Sequence, residues 1–380
     1  MIPTREQCID AISNGTNVAT PLLEGYSCVQ IQRGNYTVPL CTTGGFGMVF
    51  QMRKGDTRKA VKVWLRDISD IKERMQMVSE YLGQHNMPYF VQYNFCENGL
   101  RIEDSSTDIL IMEWADGLDL KAYLESVFDS GKGEQDIREK IGRLENSLKE
   151  CFLSLHSNHI SHGDLQHANI FISESPDGQI NIKLIDYDSL CVPKVSGKPQ
   201  VTSGYSGYQH PQRISDSVTL KSSEIDDNFS EKIIIASLQL LQAKPSLWNE
   251  REVDRLSNEE GLLFRDSDFV SFRNCHLYRS GQDTLAKSIL EDIANDLEKD
   301  ISEIKPFNWN DEEQDDDGIE IILNRLLFQL EECTRRYRFG NITALKGRIS
   351  ELSNQLDPNK RARIIDRMNN ILGIGMFNRR

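Results

Sequence analysis

No stretch of this 380-residue chain reaches 18 consecutive apolar residues, so the sequence offers no membrane-spanning helix. The opening residues MIPTREQCIDAISNG lack the apolar core of a secretory leader, because Arg5, Glu6 and Asp10 stand where it would be. A cytoplasmic location is the expectation. Eight cysteines are present, but no two lie within four residues of each other, which excludes a CxxC zinc or redox pair. Scattered reduced thiols fit a cytosolic chain long enough to bury a core without staples. Basic residues are in the minority: 44 Lys and Arg against 58 Asp and Glu leave a net charge of −14. That balance argues against broad binding to nucleic acid or an anionic membrane, while locally basic faces stay open. No internal repeat is visible.

What is present is organised in two styles. Val49-Phe50 and Ala60-Val61-Lys62-Val63-Trp64 flank Lys54-Gly55-Asp56, which predicts a β-hairpin around a glycine turn. Leu110-Ile111-Met112 reads as a buried strand, and Ile68 to Leu82 as a helix with Ile71, Met75, Val78 and Leu82 on one stripe. From Leu120 onward the long segments are helical, for example Ile141 to Leu155 and Ser230 to Leu241. Strands first and helices afterwards, with the change near residue 115, predict a two-lobed α+β architecture.

The C-terminal region changes sign. Residues 291–320 hold 13 acids and 2 bases, and residues 321–380 hold 5 acids and 12 bases. The cluster from Asp311 to Asp317 reads as a solvated linker. Beyond it Ile319, Ile321, Ile322, Leu326, Leu327 and Leu330 recur at helical spacing, as do Leu345, Ile349 and Leu352. Asp357-Pro358 breaks the pattern before a last apolar stretch, Ile364 to Leu372. A helical tail is expected, docking on the preceding domain or on a partner.

Three segments carry chemistry. Thr42-Thr43-Gly44-Gly45-Phe46-Gly47 is a glycine-rich turn between strands, where a backbone free of side chains can approach a phosphate. Lys62 sits inside a β-branched run. If that strand is covered on both faces, its ammonium needs an anion, and Glu80 on the following helix could supply a carboxylate. In His162-Gly163-Asp164-Leu165-Gln166-His167-Ala168-Asn169, an Asp and an Asn five residues apart on a tight loop can project to one point. Asp186, 17 residues after Asn169, ends the apolar strand Ile182 to Ile185, a fitting place for a hard cation such as Mg²⁺.

Together these residues resemble the protein-kinase signature set, in order and at matching distances. The resemblance covers roughly residues 40 to 245. It implies a two-lobed protein-kinase-like fold with ATP and Mg²⁺ as cofactors: a β-rich N-lobe with an N-terminal extension over 1–115 and a helical C-lobe over 116–305. An acidic linker over 306–318 and a helical C-terminal tail over 319–380 would follow. Residue by residue, the resemblance implies that Gly44, Gly45, Gly47 and Val49 cover the nucleotide. Lys62 would contact the α- and β-phosphates and pair with Glu80. Asp164 would be the catalytic base, while Asn169 and Asp186 would hold Mg²⁺. The run Ile111 to Gly117 looks like the inter-lobe hinge, with the backbone of Glu113 and Ala115 at the adenine and Asp119 near the ribose.

The departures are as informative. The arginine of the HRD motif is Gly163, which argues against activation by phosphorylation of the activation segment. The lysine two residues after the catalytic Asp is Gln166, and His167 is a candidate substitute. DFG is Asp186-Tyr187-Asp188, where Asp188 is expected to be solvated or to cap a turn rather than bind metal. The HGD form also resembles aminoglycoside and choline kinases. Against these, Gly204, Tyr208 and Pro211 resemble the end of a protein-kinase activation segment, and Asp226-Asp227 opens a long helix as in a protein-kinase C-lobe. The chain as a whole resembles a divergent bacterial-type Ser/Thr protein-kinase-like family. A Ser/Thr protein kinase acting on a protein substrate is therefore expected. A small-molecule phosphotransferase and a nucleotide-binding pseudokinase scaffold are the rivals.

Overall fold

The computed structural model describes residues 2–307, apart from 14, 69, 86, 177, 217–218 and 253–260. Beyond 307 it describes 323, 327, 330, 334, 342, 345–347, 349–350, 353–354, 356 and 358–377. Two units are present: Met1–Ser280 with Leu290–Pro306, and Gly281–Ile289 with Phe307–Arg380.

The first unit begins with helix α1 (Arg5–Ser13) and the short strands β1 (Ser27–Cys28), β2 (Gln30–Arg33), β3 (Tyr36–Pro39) and β4 (Cys41–Thr43). The expected hairpin follows as β5 (Gly47–Lys54) and β6 (Thr57–Trp64), turning at Gly55 with φ of 58°. Helix α2 (Ile71–Gln84) begins three residues later than the expected Ile68, at the first residue of its apolar stripe. Strands β7 (Tyr93–Ile102) and β8 (Ser105–Glu113) complete an antiparallel sheet of order β1-β5-β6-β8-β7, with β4 on β5. One face packs against α1: Cys8, Ala11 and Ile12 join Phe50, Met52, Val61, Val63, Leu100, Ile102, Ile109 and Ile111 in a single core. With its other face also covered, β6 is buried from Ala60 to Trp64, Lys62 included. That is the condition under which its ammonium needs a counter-charge.

The second lobe is helical with a small sheet built around the apolar strand expected to lead to Asp186. After β9 (Leu118–Asp119) and α3 (Leu120–Phe128) comes α4 (Glu134–Ser157), extending the predicted helix by seven residues at its start. Strands β10 (Ile170–Glu174) and β11 (Ile180–Leu184) pair with β9 in the order β11-β10-β9. Gly117 is required at the junction between lobes: its φ is 113°, and a Cβ would lie 2.1 Å from Ile172 O. The short helix α5 (Pro211–Ser215) precedes α6 (Asn228–Ala243), which packs on α4 and is buried from Asn228 to Leu241. A helix apolar around so much of its girth belongs at the centre of a lobe. Helices α7 (Ser246–Glu252), α8 (Asp266–Val270), α9 (His276–Gly281) and α10 (Lys287–Asp296) follow.

In the second unit Leu323, Leu327, Leu330, Ile349, Leu356, Ile364, Met368 and Ile371 form their own buried cluster. The break at Asp357-Pro358 is the start of helix α11 (Pro358–Phe377), since proline suits a first helical position. The acidic cluster Asp311 to Asp317, and the stripe positions Ile319, Ile321, Ile322, Leu326 and Leu352, lie outside the described residues. No described helix is long and apolar enough to cross a membrane.

Candidate active site

The glycine-rich turn joins β4 to β5. Gly44 N donates to Gly47 O at 2.9 Å, and Leu65 N to Phe46 O at 2.8 Å, so the turn is folded back over the start of the hairpin. Its glycines differ in purpose. A Cβ on Gly47 would lie 2.5 Å from Val63 O, so that glycine serves the close approach of β5 to β6. A Cβ on Gly44 or Gly45 would meet nothing within 4 Å. The fold does not demand those two glycines, which leave the backbone of an exposed turn uncovered by side chains. Val49 is the cross-strand partner of Lys62 and shares its side of the sheet.

The loop from His162 to Asn169 is held from beneath by the first residues of the central helix. Both carboxylate oxygens of Asp227, at the N-cap of α6, accept from the loop backbone, one from His162 N and the other from Gly163 N at 3.0 Å. His162 Nε2 donates to Ile185 O at 2.8 Å, and Ile185 N donates to Asn169 O at 3.0 Å, tying this loop to the one carrying Asp186. Asn169 Nδ2 donates to Asp164 O at 2.8 Å and faces Asp164 Oδ2 at 3.4 Å. Its amide oxygen is therefore the atom left to meet a cation. Asp164 Oδ1 is buried without a partner among the described residues. Burial, with the like charge of Asp186, pushes the Asp164 carboxyl up to about 6 against the offsetting pull of His162 and Arg213.

Gly163 explains the missing HRD arginine. Its φ is 75°, and a Cβ there would lie 2.4 Å from Ser189 O, so no side chain fits. The guanidinium in this region comes from elsewhere in the chain. Arg213, fully buried on α5, donates to Gly163 O and to Asp226 O, each at 2.6 Å. Gly163→Ala is expected to cost about 2–5 kcal/mol, combining left-handed strain with a backbone clash. Chemical denaturation should show a lower midpoint at unchanged slope, and an unchanged midpoint would contradict this account.

Lys62, Asp186 and Asp188 meet in one cluster. Lys62 Nζ lies 2.5 Å from Asp186 Oδ1 and 2.6 Å from Asp188 Oδ2, and Trp64 Nε1 donates to Asp188 Oδ1 at 3.1 Å. Burial works against the ammonium, but the two carboxylates outweigh it and hold Lys62 above its ordinary range. Asp186 is lowered, because Lys62 overcomes the effect of burial; Asp188 is raised, burial and its neighbour Asp186 outweighing Lys62. Asp186 adopts φ of 68°, a left-handed conformation that Asp tolerates better than most residues. Tyr187 is fully buried and fastens this turn: its hydroxyl donates to Leu184 O at 2.8 Å and accepts from Val91 N at 2.9 Å.

Three expectations are corrected here. Glu80 does not pair with Lys62; it is exposed on α2 and binds Lys194 at 3.1 Å. Asp188 is not solvated but 4% exposed, because Lys62 and Trp64 draw it inward. His167 does not reach toward a phosphate: it is buried with Nδ1 2.6 Å from the Tyr208 hydroxyl. At the hinge, Glu113 ends β8 and its N–H donates to Gln92 O at 3.0 Å, Ala115 lies in the link after it, and Asp116 pairs with Arg58. Asp119 caps α3, accepting from Ala122 N at 2.9 Å.

Residues 41–291, about two thirds of the chain, match the protein kinase domain. The chain belongs to the protein kinase domain family. No match to a curated protein was found. Membership makes this a kinase-like phosphotransferase domain in a two-lobed fold, and the family generally uses ATP and Mg²⁺. The kinase site carries no preformed metal cage: among the described residues no three His, Cys, Asp or Glu side chains are grouped to hold an ion. The Asp186 carboxylate and the Asn169 amide oxygen still fit Mg²⁺, a cation that takes one or two protein oxygens and completes its shell with phosphate and water. Trp64, Tyr187 and Arg213 were not singled out from the sequence. Trp64 could have been, since two residues after Lys62 on a strand is the same face.

Proposed function

We propose that the protein is an ATP- and Mg²⁺-dependent protein kinase that phosphorylates serine or threonine hydroxyls, with Asp164 as general base. The observation that carries this reading is Oδ1 of Asp164, a proton acceptor buried without a hydrogen-bond partner among the described residues. Bound MgATP would supply a γ-phosphoryl group of high transfer potential. The chain's own residues do the rest by position and charge. Gly44, Gly45 and Gly47 cover the phosphates and Val49 the nucleotide above them. Lys62 presents an ammonium to the phosphates, and Asn169 and Asp186 hold the cation. The backbone of Glu113 and Ala115 borders the adenine, with Asp119 toward the ribose. Asp164 accepts the hydroxyl proton.

A protein acceptor is supported by the segment after Asp188, which is anchored as a shaped surface. Gly204 has φ of 80° and lies under the Gln209 side chain, which is buried and donates to Ser230 Oγ at 3.4 Å. Arg213 then ties the end of the segment to the loop bearing Asp164. The test is incubation of the full chain with labelled ATP and Mg²⁺, separately with generic protein substrates, an aminoglycoside and choline. Label on protein Ser or Thr, lost on chelation, is expected. Label on a small molecule alone would reassign the acceptor, and nucleotide binding without transfer to any acceptor would leave a scaffold.

A further inference from the structure

The two carboxylates on Lys62 are unlike. The Asp186 side chain is 41% exposed, while that of Asp188 is 5% exposed with both oxygens engaged, Oδ2 by Lys62 and Oδ1 by Trp64. Asp186 is the acid open to a cation; Asp188 is closed to one. A lysine side chain 4% exposed needs a counter-charge that stays, and an acid committed to a cation cannot be it. Helix α2 offers carboxylates, but they are used elsewhere. Glu80 binds Lys194 at 3.1 Å, and Lys198 lies 3.3 Å from both Asp70 and Glu73. The buried Arg74, on the same helix, donates through Nη2 to Pro199 O at the same stretch of chain.

We infer that Asp188 is a positioning residue for phosphotransfer: it is the fixed counter-ion that holds Lys62, replacing a glutamate of α2, and α2 clasps residues 194–199 instead. The catalytic consequence rests on the proposed phosphotransfer, whereas the contact does not. With Asp186 given to a cation, Lys62 and Asp188 remain a neutral, buried pair between β6 and the turn after β11. The placement of Lys62 is then independent of any movement of α2. This also gives the altered DFG glycine a purpose, because glycine at position 188 would leave Lys62 without that partner.

The test uses the full chain and two readouts. The first is transfer at saturating ATP. The second, made without nucleotide or metal, is the rate at which a small amine-acylating ester modifies Lys62, read by peptide mass. Asp188→Asn keeps the shape and an acceptor for Trp64 but no charge; transfer should fall at least tenfold and Lys62 should label at least threefold faster. Glu80→Gln should stay within twofold of the parent on both. A merely structural Asp188 would lower the melting temperature while leaving labelling of the folded protein unchanged. If Asp188→Asn does not fold, Trp64→Phe, which frees one oxygen of Asp188 and keeps both charges, should still speed labelling at least twofold. Unchanged labelling in the folded Asp188 variant, or in Trp64→Phe where it stands in, overturns the inference. So does a tenfold loss of transfer in Glu80→Gln, an exposed change that does not threaten folding. A parent without transfer would defeat the kinase reading, while the labelling contrast would still decide the role of Asp188.

Discussion

Asp164→Asn should lose phosphotransfer by at least about 10²-fold while binding nucleotide as the parent does, the usual scale for removing a positioned proton acceptor. The loop geometry should survive, because Asp227 and Arg213 hold it through backbone atoms that the substitution leaves in place. The carboxyl is pushed up to about 6, so the parent's kcat/KM should rise with pH through about 6 and level off as the base form fills. Stability should move the opposite way. A carboxyl whose folded value of about 6 lies above its ordinary 3.8 binds more protons folded than unfolded between those values. Its charge therefore costs stability progressively as pH rises from about 4 to 6. Asp164→Asn should melt higher than the parent at pH 7.5, by on the order of 2 kcal/mol, and the gain should vanish near pH 4. Equal label incorporation by variant and parent would remove Asp164 from catalysis. A variant melting lower at neutral pH would show that its burial is not a cost.

Asp186→Ala should abolish the Mg²⁺-dependent part of the melting shift produced by ATP. A ligand at 100 times its Kd stabilises by about 2.7 kcal/mol, so several degrees are at stake. Folding is not threatened, because the side chain is partly exposed and Lys62 keeps its 2.6 Å contact with Asp188. Transfer should fall with the shift, since the cation neutralises charge that develops on the phosphates. A variant that keeps the full Mg²⁺-dependent shift would place the metal elsewhere than on Asp186.

Much of this site is legible in the sequence because its residues are tied to short, rigid pieces of chain. A glycine turn between strands, a lysine in a β-branched run and an acid at a strand end each sit at a position that local geometry fixes. The same reading fails where partners are distant in sequence. Glu80 lies on the expected helix, but a stripe gives only the face, and Lys194 is 114 residues away. Asp188 reads as a surface acid until Lys62 and Trp64 are brought against it across more than 120 residues. Arg213 sends its guanidinium under a glycine 50 residues earlier, a contact with no local signature. The fold follows the same division: the hairpin and the long helices are periodic, whereas β9 has only two residues and is defined by pairing with β10.

Helix α1 changes what counts as the folding unit. Cys8, Ala11 and Ile12 close the sheet face formed by Phe50, Met52, Leu100 and Ile102, while Lys54 and Lys59 donate to the carbonyls of Glu24 and Leu22 at 2.9 Å and 3.0 Å. The first forty residues thus cover an apolar sheet face that would otherwise meet solvent. A protein begun just ahead of the glycine-rich turn would keep every proposed site residue and still present a bare apolar sheet to solvent. Its failure would be one of solubility, not of chemistry.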